Sequence, residues 1–140
     1  MKKAESHLQL KIETPLMVLS YRLFPRWFGQ SNFLLLTTTG RKSQRQRTVI
    51  VVCMSVEGNY AVVAANAGLD AQPAWYLNLQ QQPQVQIQIG PTKRSVQAEE
   101  ISGAKREQLW ADWIKAHPGY VGYQAKTSRL FPIMLLCTDS

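Results

Sequence analysis

The densest positive charge in the sequence is Gly40-Arg41-Lys42-Ser43-Gln44-Arg45-Gln46-Arg47, four cations and a hydroxyl that follow a glycine at the end of a β-type run. A strand, then glycine, then cations can wrap a phosphate with backbone N–H groups while Lys and Arg neutralise its charge. The same residues also suit a solvated hairpin loop or a basic hairpin against nucleic acid. The nucleic-acid reading is the weakest, because no aromatics interleave the cations and no second basic segment of similar density extends a footprint.

Two aromatic segments could complete a site. Pro73-Ala74-Trp75-Tyr76-Leu77-Asn78-Leu79 sets two rings side by side, and neighbours on a helix point in different directions. One ring can enter the core while the other, with Asn78, borders a pocket; ordinary core packing of both is the alternative. Gly119-Tyr120-Val121-Gly122-Tyr123 reads as an irregular segment carrying two phenols. They suit stacking on a flat ligand or donating a hydrogen bond to a substrate oxygen, and equally sealing a barrel end.

Other chemistry finds few residues. Cys53 and Cys137 lie in apolar runs without a CxxC pair, against a disulfide scaffold or thiolate metal site and in favour of a reducing compartment. His7 and His117 are the only histidines, and no HxxxH or paired acidic motif supports a catalytic metal or hydrolytic triad.

The chain that must position these segments has 140 residues, the size of one domain, with 45% hydrophobic and 18% charged residues. Sixteen Lys and Arg against nine Asp and Glu give +7, which calls for an anionic partner without choosing between nucleic acid, an acidic membrane surface and a phosphorylated small molecule. Lys2 and Lys3 resemble the start of a signal peptide, but Glu5, Lys11 and Glu13 interrupt any hydrophobic stretch, so no secretion is expected. No apolar run approaches the roughly 20 residues of a membrane-spanning helix.

Thr14-Pro15 is a helix start, and Leu16 through Phe28 supplies two apolar stripes: Leu16, Leu19, Leu23, Trp27, and Met17, Tyr21, Phe24, Phe28. Ser20, Arg22 and Arg26 form the polar side. Such a helix docks on the domain or on a dimer partner, or lies in a membrane interface. Strands are expected over Phe33–Thr39, Thr48–Ser55, Tyr60–Ala65, Gln84–Ile89, Lys93–Ile101 and Leu130–Cys137, with helices over Ala74–Gln82 and after Ser102-Gly103 to near His117. The second helix turns Leu109, Trp110, Trp113 and Ile114 to one face. Antiparallel strands with helices inserted at two points imply a small α+β barrel, and no GxGxxG supports a Rossmann fold.

Taken together, Leu35-Leu36-Thr37-Thr38-Thr39-Gly40-Arg41-Lys42-Ser43, Arg47, Ala65-Asn66-Ala67-Gly68, Pro73 to Leu79, Pro83-Gln84-Val85 and Pro118-Gly119-Tyr120-Val121-Gly122-Tyr123-Gln124-Ala125 resemble the deazaflavin-dependent nitroreductase family. Order and spacing agree from about Phe33 to the C-terminus. The resemblance implies an FMN-binding-like split β-barrel (31–140) behind an N-terminal helical arm (1–30), forming one domain overall. It also implies an oxidoreductase that transfers a hydride from reduced coenzyme F(420), a deazaflavin with a phosphodiester and glutamate tail, to a quinone, nitroaromatic or activated enone.

By the same motif match, Lys42 and Arg47 fall on the cofactor phosphate with Arg41 and Ser43 beside them. Asn66, Ala67, Trp75 and Asn78 border the ring, and Tyr120 and Tyr123 lie on the substrate side as the catalytic candidates. No metal is implied. This sequence departs from the family pattern at Gln44 and Gln46, where Gly and Pro are common, at Ala65, where a serine can occur, and at His117, where a tyrosine can. The alternatives are a split-barrel reductase using FMN and a non-catalytic barrel carrying lipid or cofactor. A cytoplasmic location, peripheral contact with the inner face of the membrane and a homodimer complete the expectations.

Overall fold

The computed structural model describes residue 16, residues 18–23 and residues 32–138. Chain order runs β1 (Phe33–Thr39), β2 (Gln46–Val52), β3 (Met54–Val56), β4 (Asn59–Val63), a 3-10 turn (Asn66–Gly68), α1 (Ala74–Gln81), β5 (Gln84–Ile89), β6 (Thr92–Ile101), α2 (Gly103–Ala116), α3 (Gly119–Ala125) and β7 (Ile133–Thr138). The strands form one antiparallel sheet in the order β2-β1-β5-β6-β7-β4-β3. β2 and β3 stand at opposite ends of that order, yet only Cys53 separates them in the chain. A sheet whose two edges are one residue apart must curl back on itself, which makes it a split β-barrel. The single strand expected over Thr48–Ser55 is therefore two, broken at a corner where the Cys53 N–H leaves the ladder and donates to the Asn32 carbonyl at 2.7 Å.

Side-chain periodicity shows which sheet faces are covered. On β5, Val85 and Ile87 are buried while Gln84 and Gln86 are exposed, so the outer face here meets water. β1, β4 and β7 instead carry consecutive buried apolar residues, at 34–36, 61–63 and 133–136, because both of their faces are covered there. Leu34, Leu36, Val62, Met134 and Leu136 fill the barrel interior with Tyr76 and Leu79 of α1. The alternate residues Ala61, Val63, Ile133 and Leu135 pack outside against Leu109 and Trp113, which lie one turn apart on α2.

Outside β1, the helical residues 18–23 bury Val18 and Tyr21 over Leu35. The Tyr21 hydroxyl accepts from the Gly90 N–H at 2.7 Å and donates to the Gln88 carbonyl at 3.0 Å. Docking thus uses Tyr21 of the second expected stripe, while Leu16, Leu19 and Leu23 of the first are 65%, 52% and 63% exposed. Met17, Phe24, Arg26, Trp27 and Phe28 lie outside the described residues.

Two further expectations shift. The Gly119–Tyr123 segment is helical rather than irregular: Pro118 starts the turn, the Val121 N–H donates to the Pro118 carbonyl, and Tyr120 packs edge-on against Trp113 at 5.2 Å. Packing outweighs the low helix propensity of Gly119 and Gly122. The last strand starts at Ile133 rather than Leu130, because Pro132 has no N–H to give the ladder and the Arg129 N–H and carbonyl are taken up by Thr127 and Gln124.

Candidate active site

A cleft of about 1230 Å³ opens between β2, the loop from β1 to β2, the 3-10 turn, the start of α1 and α3. All ten sequence-derived candidates line it: Arg41, Lys42, Ser43, Arg47, Asn66, Ala67, Trp75, Asn78, Tyr120 and Tyr123. They come from four separate stretches of chain, 41–47, 66–67, 75–78 and 120–123, and the curl of the sheet brings them together. Among the described residues no carboxylate lines the cleft, whereas Arg22, Arg41, Lys42 and Arg47 do. An anion entering this space meets positive charge with no acidic competitor.

The basic loop is tight at its base and open at its tip. The Gly40 N–H donates to the Arg45 carbonyl (2.7 Å) and the Gln44 N–H to the Gly40 carbonyl (2.9 Å). A Cβ on Gly40 would lie 2.6 Å from Ser43 Oγ and 3.2 Å from the Arg45 carbonyl, so a larger residue there would displace the Ser43 hydroxyl and crowd the turn. Gln44 adopts φ +59°, a left-handed conformation that favours glycine.

Asn78, 5% exposed, reaches this loop from α1. Its Oδ1 accepts from the Arg41 N–H at 3.0 Å and its Nδ2 donates to Thr38 Oγ1 at 3.0 Å. Both polar ends are therefore committed to the protein, and Asn78 acts here by fixing the root of the cationic loop to β1. Its neighbours divide as the helical geometry requires: Tyr76 enters the barrel and donates to Glu100, while Trp75 faces the cleft.

The opposite wall is a strained turn. Asn66, Ala67 and Gly68 have φ of +49°, +55° and +81°, three consecutive left-handed residues of which only one is glycine. Each non-glycine residue there costs about 1–2 kcal/mol. Asn66 offsets part of this by donating from Nδ2 to the Ala71 carbonyl at 2.9 Å. Gly68 has a further role: a Cβ there would fall 2.6 Å from the Tyr123 carbonyl oxygen, so the turn and α3 are in direct backbone contact.

On α3, Tyr120 and Tyr123 pack edge-to-face at 5.2 Å and line the cleft. Burial, with a smaller contribution from Tyr123, pushes the Tyr120 phenol up to about 12. It stays protonated across the physiological range, as a hydrogen-bond donor to a developing oxyanion must. Behind it, His117 lies against Trp113 at 4.8 Å and outside the cleft lining. The Cys53 thiol, also pushed up to about 12 by burial, is no nucleophile.

Sequence reasoning did not single out two contributors. Val49, Ile50 and Val51 of β2 and Val18, Leu19 and Arg22 of the N-terminal helix also line the cleft; an apolar run signals a strand without telling a cleft wall from a core. Arg129, in a polar stretch before β7, has no motif at all, yet its guanidinium donates to the carbonyls of Ala64, Ala65 and Leu69 and to Gln72 Oε1.

Comparison with known proteins places this architecture. The family model for F(420)H(2)-dependent quinone reductase matches residues 22–138. An F(420)H(2)-dependent quinone reductase of Mycobacterium tuberculosis is 33% identical over 111 residues, covering 77% of this chain and 74% of the relative. Among solved structures, an F(420)H2-dependent reductase, FDR-A, is 36% identical with a TM-score of 0.70, covering 76% of this chain and 94% of that one. A structure described as a domain-swapped dimer is also 36% identical with a TM-score of 0.70, covering 76% of this chain and 80% of its own. The motifs, the curled sheet and these matches agree: the chain belongs to the F(420)H(2)-dependent quinone reductase family.

Proposed function

We propose that this protein binds reduced coenzyme F(420) in the cleft and reduces quinones. The observation that carries this reading is the meeting, in one cleft that no carboxylate lines among the described residues, of a cationic loop, an aromatic and left-handed wall, and two phenols, in a chain of this family. The residues suit the group: Lys42 and Arg47, with Arg41 and Ser43 beside them, would hold the phosphodiester, and Trp75, Asn66 and Ala67 would flank the ring.

When bound, the reduced deazaflavin supplies a hydride, so the protein needs neither nucleophile nor metal. A hydride and one proton together convert a quinone to its hydroquinone. The protein's share is to stack the acceptor near the ring, exclude water and stabilise the oxygen on which charge develops. Tyr120, held protonated by burial, and Tyr123 beside it are the donors for that oxygen.

Titrating the purified protein with oxidised coenzyme F(420) and, in parallel, with FMN tests the reading. Tighter binding of the deazaflavin is expected; FMN binding alone would reassign the barrel to flavin chemistry, and binding of neither would leave a carrier of another kind. The exposed Leu16, Leu19 and Leu23 beside Arg22 support peripheral membrane contact, which co-sedimentation with anionic vesicles checks. The structural relative described as a domain-swapped dimer supports self-association, which sedimentation velocity measures.

A further inference from the structure

The two walls of the cleft share a support that lies outside it. Arg129 precedes β7, and every N–H of its guanidinium has an acceptor: Nη1 donates to Ala64 O (2.9 Å) and Gln72 Oε1 (2.7 Å), Nη2 to Ala65 O (2.8 Å) and Leu69 O (3.0 Å), and Nε to Leu69 O (3.2 Å). The group lies 4.9 Å over the Phe131 ring, which covers one of its faces. These carbonyls bracket Asn66, Ala67 and Gly68 on both sides. A left-handed triplet with two non-glycine residues persists only where its surroundings dictate it, and this fork is the surrounding that does so.

Arg129 is tied equally to the tyrosine wall. Its own carbonyl accepts from Gln124 Nε2 at 2.7 Å, within α3. Its N–H donates to Thr127 Oγ1 at 3.2 Å, and the Thr127 hydroxyl donates at 2.8 Å to Asp70, back in the loop that the guanidinium holds. The contact between Gly68 and Tyr123 completes a closed circuit: turn, guanidinium, α3, turn.

We propose that Arg129 is a positioning residue that fixes the separation between the Asn66–Gly68 turn and the Tyr120/Tyr123 helix, and so sets the approach of quinone to deazaflavin. This rests on the reading of the cleft given above. Arg129 is absent from the cleft lining and remote in sequence from the cationic loop, so its loss acts on reaction geometry rather than on phosphate capture.

Arg129→Lys keeps the charge and removes the fork. In the ligand-free protein, amide exchange in residues 64–72 and 119–125 is expected to accelerate together by about tenfold, with β1, β5 and β6 unchanged. Single-turnover hydride transfer to a soluble quinone is expected to fall by about 100-fold, while affinity for oxidised coenzyme F(420) moves by less than about threefold. Gln124→Ala, which removes the amide's bonds to the Arg129 and Thr127 carbonyls and leaves the guanidinium in place, keeps the test open if the lysine variant does not fold: faster exchange confined to 119–125 and a smaller rate loss are expected. Unchanged exchange in 119–125 in either variant, or a wild-type transfer rate in Arg129→Lys, overturns the proposal. A wild-type protein that transfers no hydride would refute the functional reading instead, and the exchange result would still decide whether Arg129 couples the two walls.

Discussion

The two sides of the cleft are built on opposite principles. The cationic side presents Arg41 and Lys42 on a hairpin turn and Arg47 at the start of β2, and the buried amide of Asn78 ties the turn to β1. The turn and tyrosine side presents no cation of its own to the cleft, yet it is held by a saturated guanidinium, a backbone close approach and stacked rings. Charge acts over several ångströms and tolerates motion, whereas hydride transfer requires reacting atoms within about 3–3.5 Å and aligned. On the function proposed for the cleft, the contrast would give capture to the loose side and alignment to the rigid one.

The largest effect that would break this division is expected from Lys42→Ala combined with Arg47→Ala. With about 1.5–3 kcal/mol for each charge-assisted hydrogen bond, the pair should weaken cofactor binding by more than 100-fold without lowering the melting temperature. A calorimetric titration measures it; unchanged affinity would place the phosphate elsewhere.

Asn78→Ala probes the one buried tether of the loose side. It strands the Thr38 hydroxyl and the Arg41 N–H, so a stability loss of about 1–3 kcal/mol in urea unfolding is expected together with weaker cofactor binding. If stability falls while affinity does not, the root of the loop has no part in capture.

On the rigid side, Tyr120→Phe and Tyr123→Phe should each lower turnover by about tenfold or more with cofactor affinity nearly unchanged. Equal rates with several quinones would remove that phenol from the mechanism.

The smallest effect is in pH dependence. Tyr120 and Tyr76 are raised to about 12 from an ordinary value of 10, and Cys53 to about 12 from 9, chiefly by burial. A raised native value means that the folded protein keeps a proton the unfolded chain has lost. The stability these groups contribute is complete below pH 9 and fades as the pH climbs through about 12. Turnover should show no ionisation of Tyr120 below about pH 10, and an alkaline limb near neutrality that is lost in Tyr120→Phe would contradict the protonated Tyr120.

The loose side was legible in the sequence and the rigid side only in part. Consecutive cations after Gly40 advertise themselves, because a charged hairpin tip is a local feature whose residues are neighbours in the chain. The alternating glutamines of β5 and the Pro73 helix were equally plain, since one exposed face imposes a two- or 3.6-residue period. The tyrosines were located, but their segment read as irregular because Gly119 and Gly122 conceal a helix that only packing on Trp113 stabilises. Arg129 was invisible: its partners lie about sixty residues away, and a carbonyl acceptor leaves no mark on residue type. The break at Cys53 was hidden for the same reason, since it follows from the closure of the sheet and from nothing in the run Val49–Val56.

The most direct test of the central claim is anaerobic mixing of the protein with reduced coenzyme F(420) and a soluble quinone, following reoxidation of the deazaflavin in time. Saturable, protein-dependent reoxidation with one hydroquinone formed per coenzyme is the predicted result. No acceleration over the uncatalysed mixture, or acceleration that survives the combined loss of Lys42 and Arg47 unchanged, would contradict it.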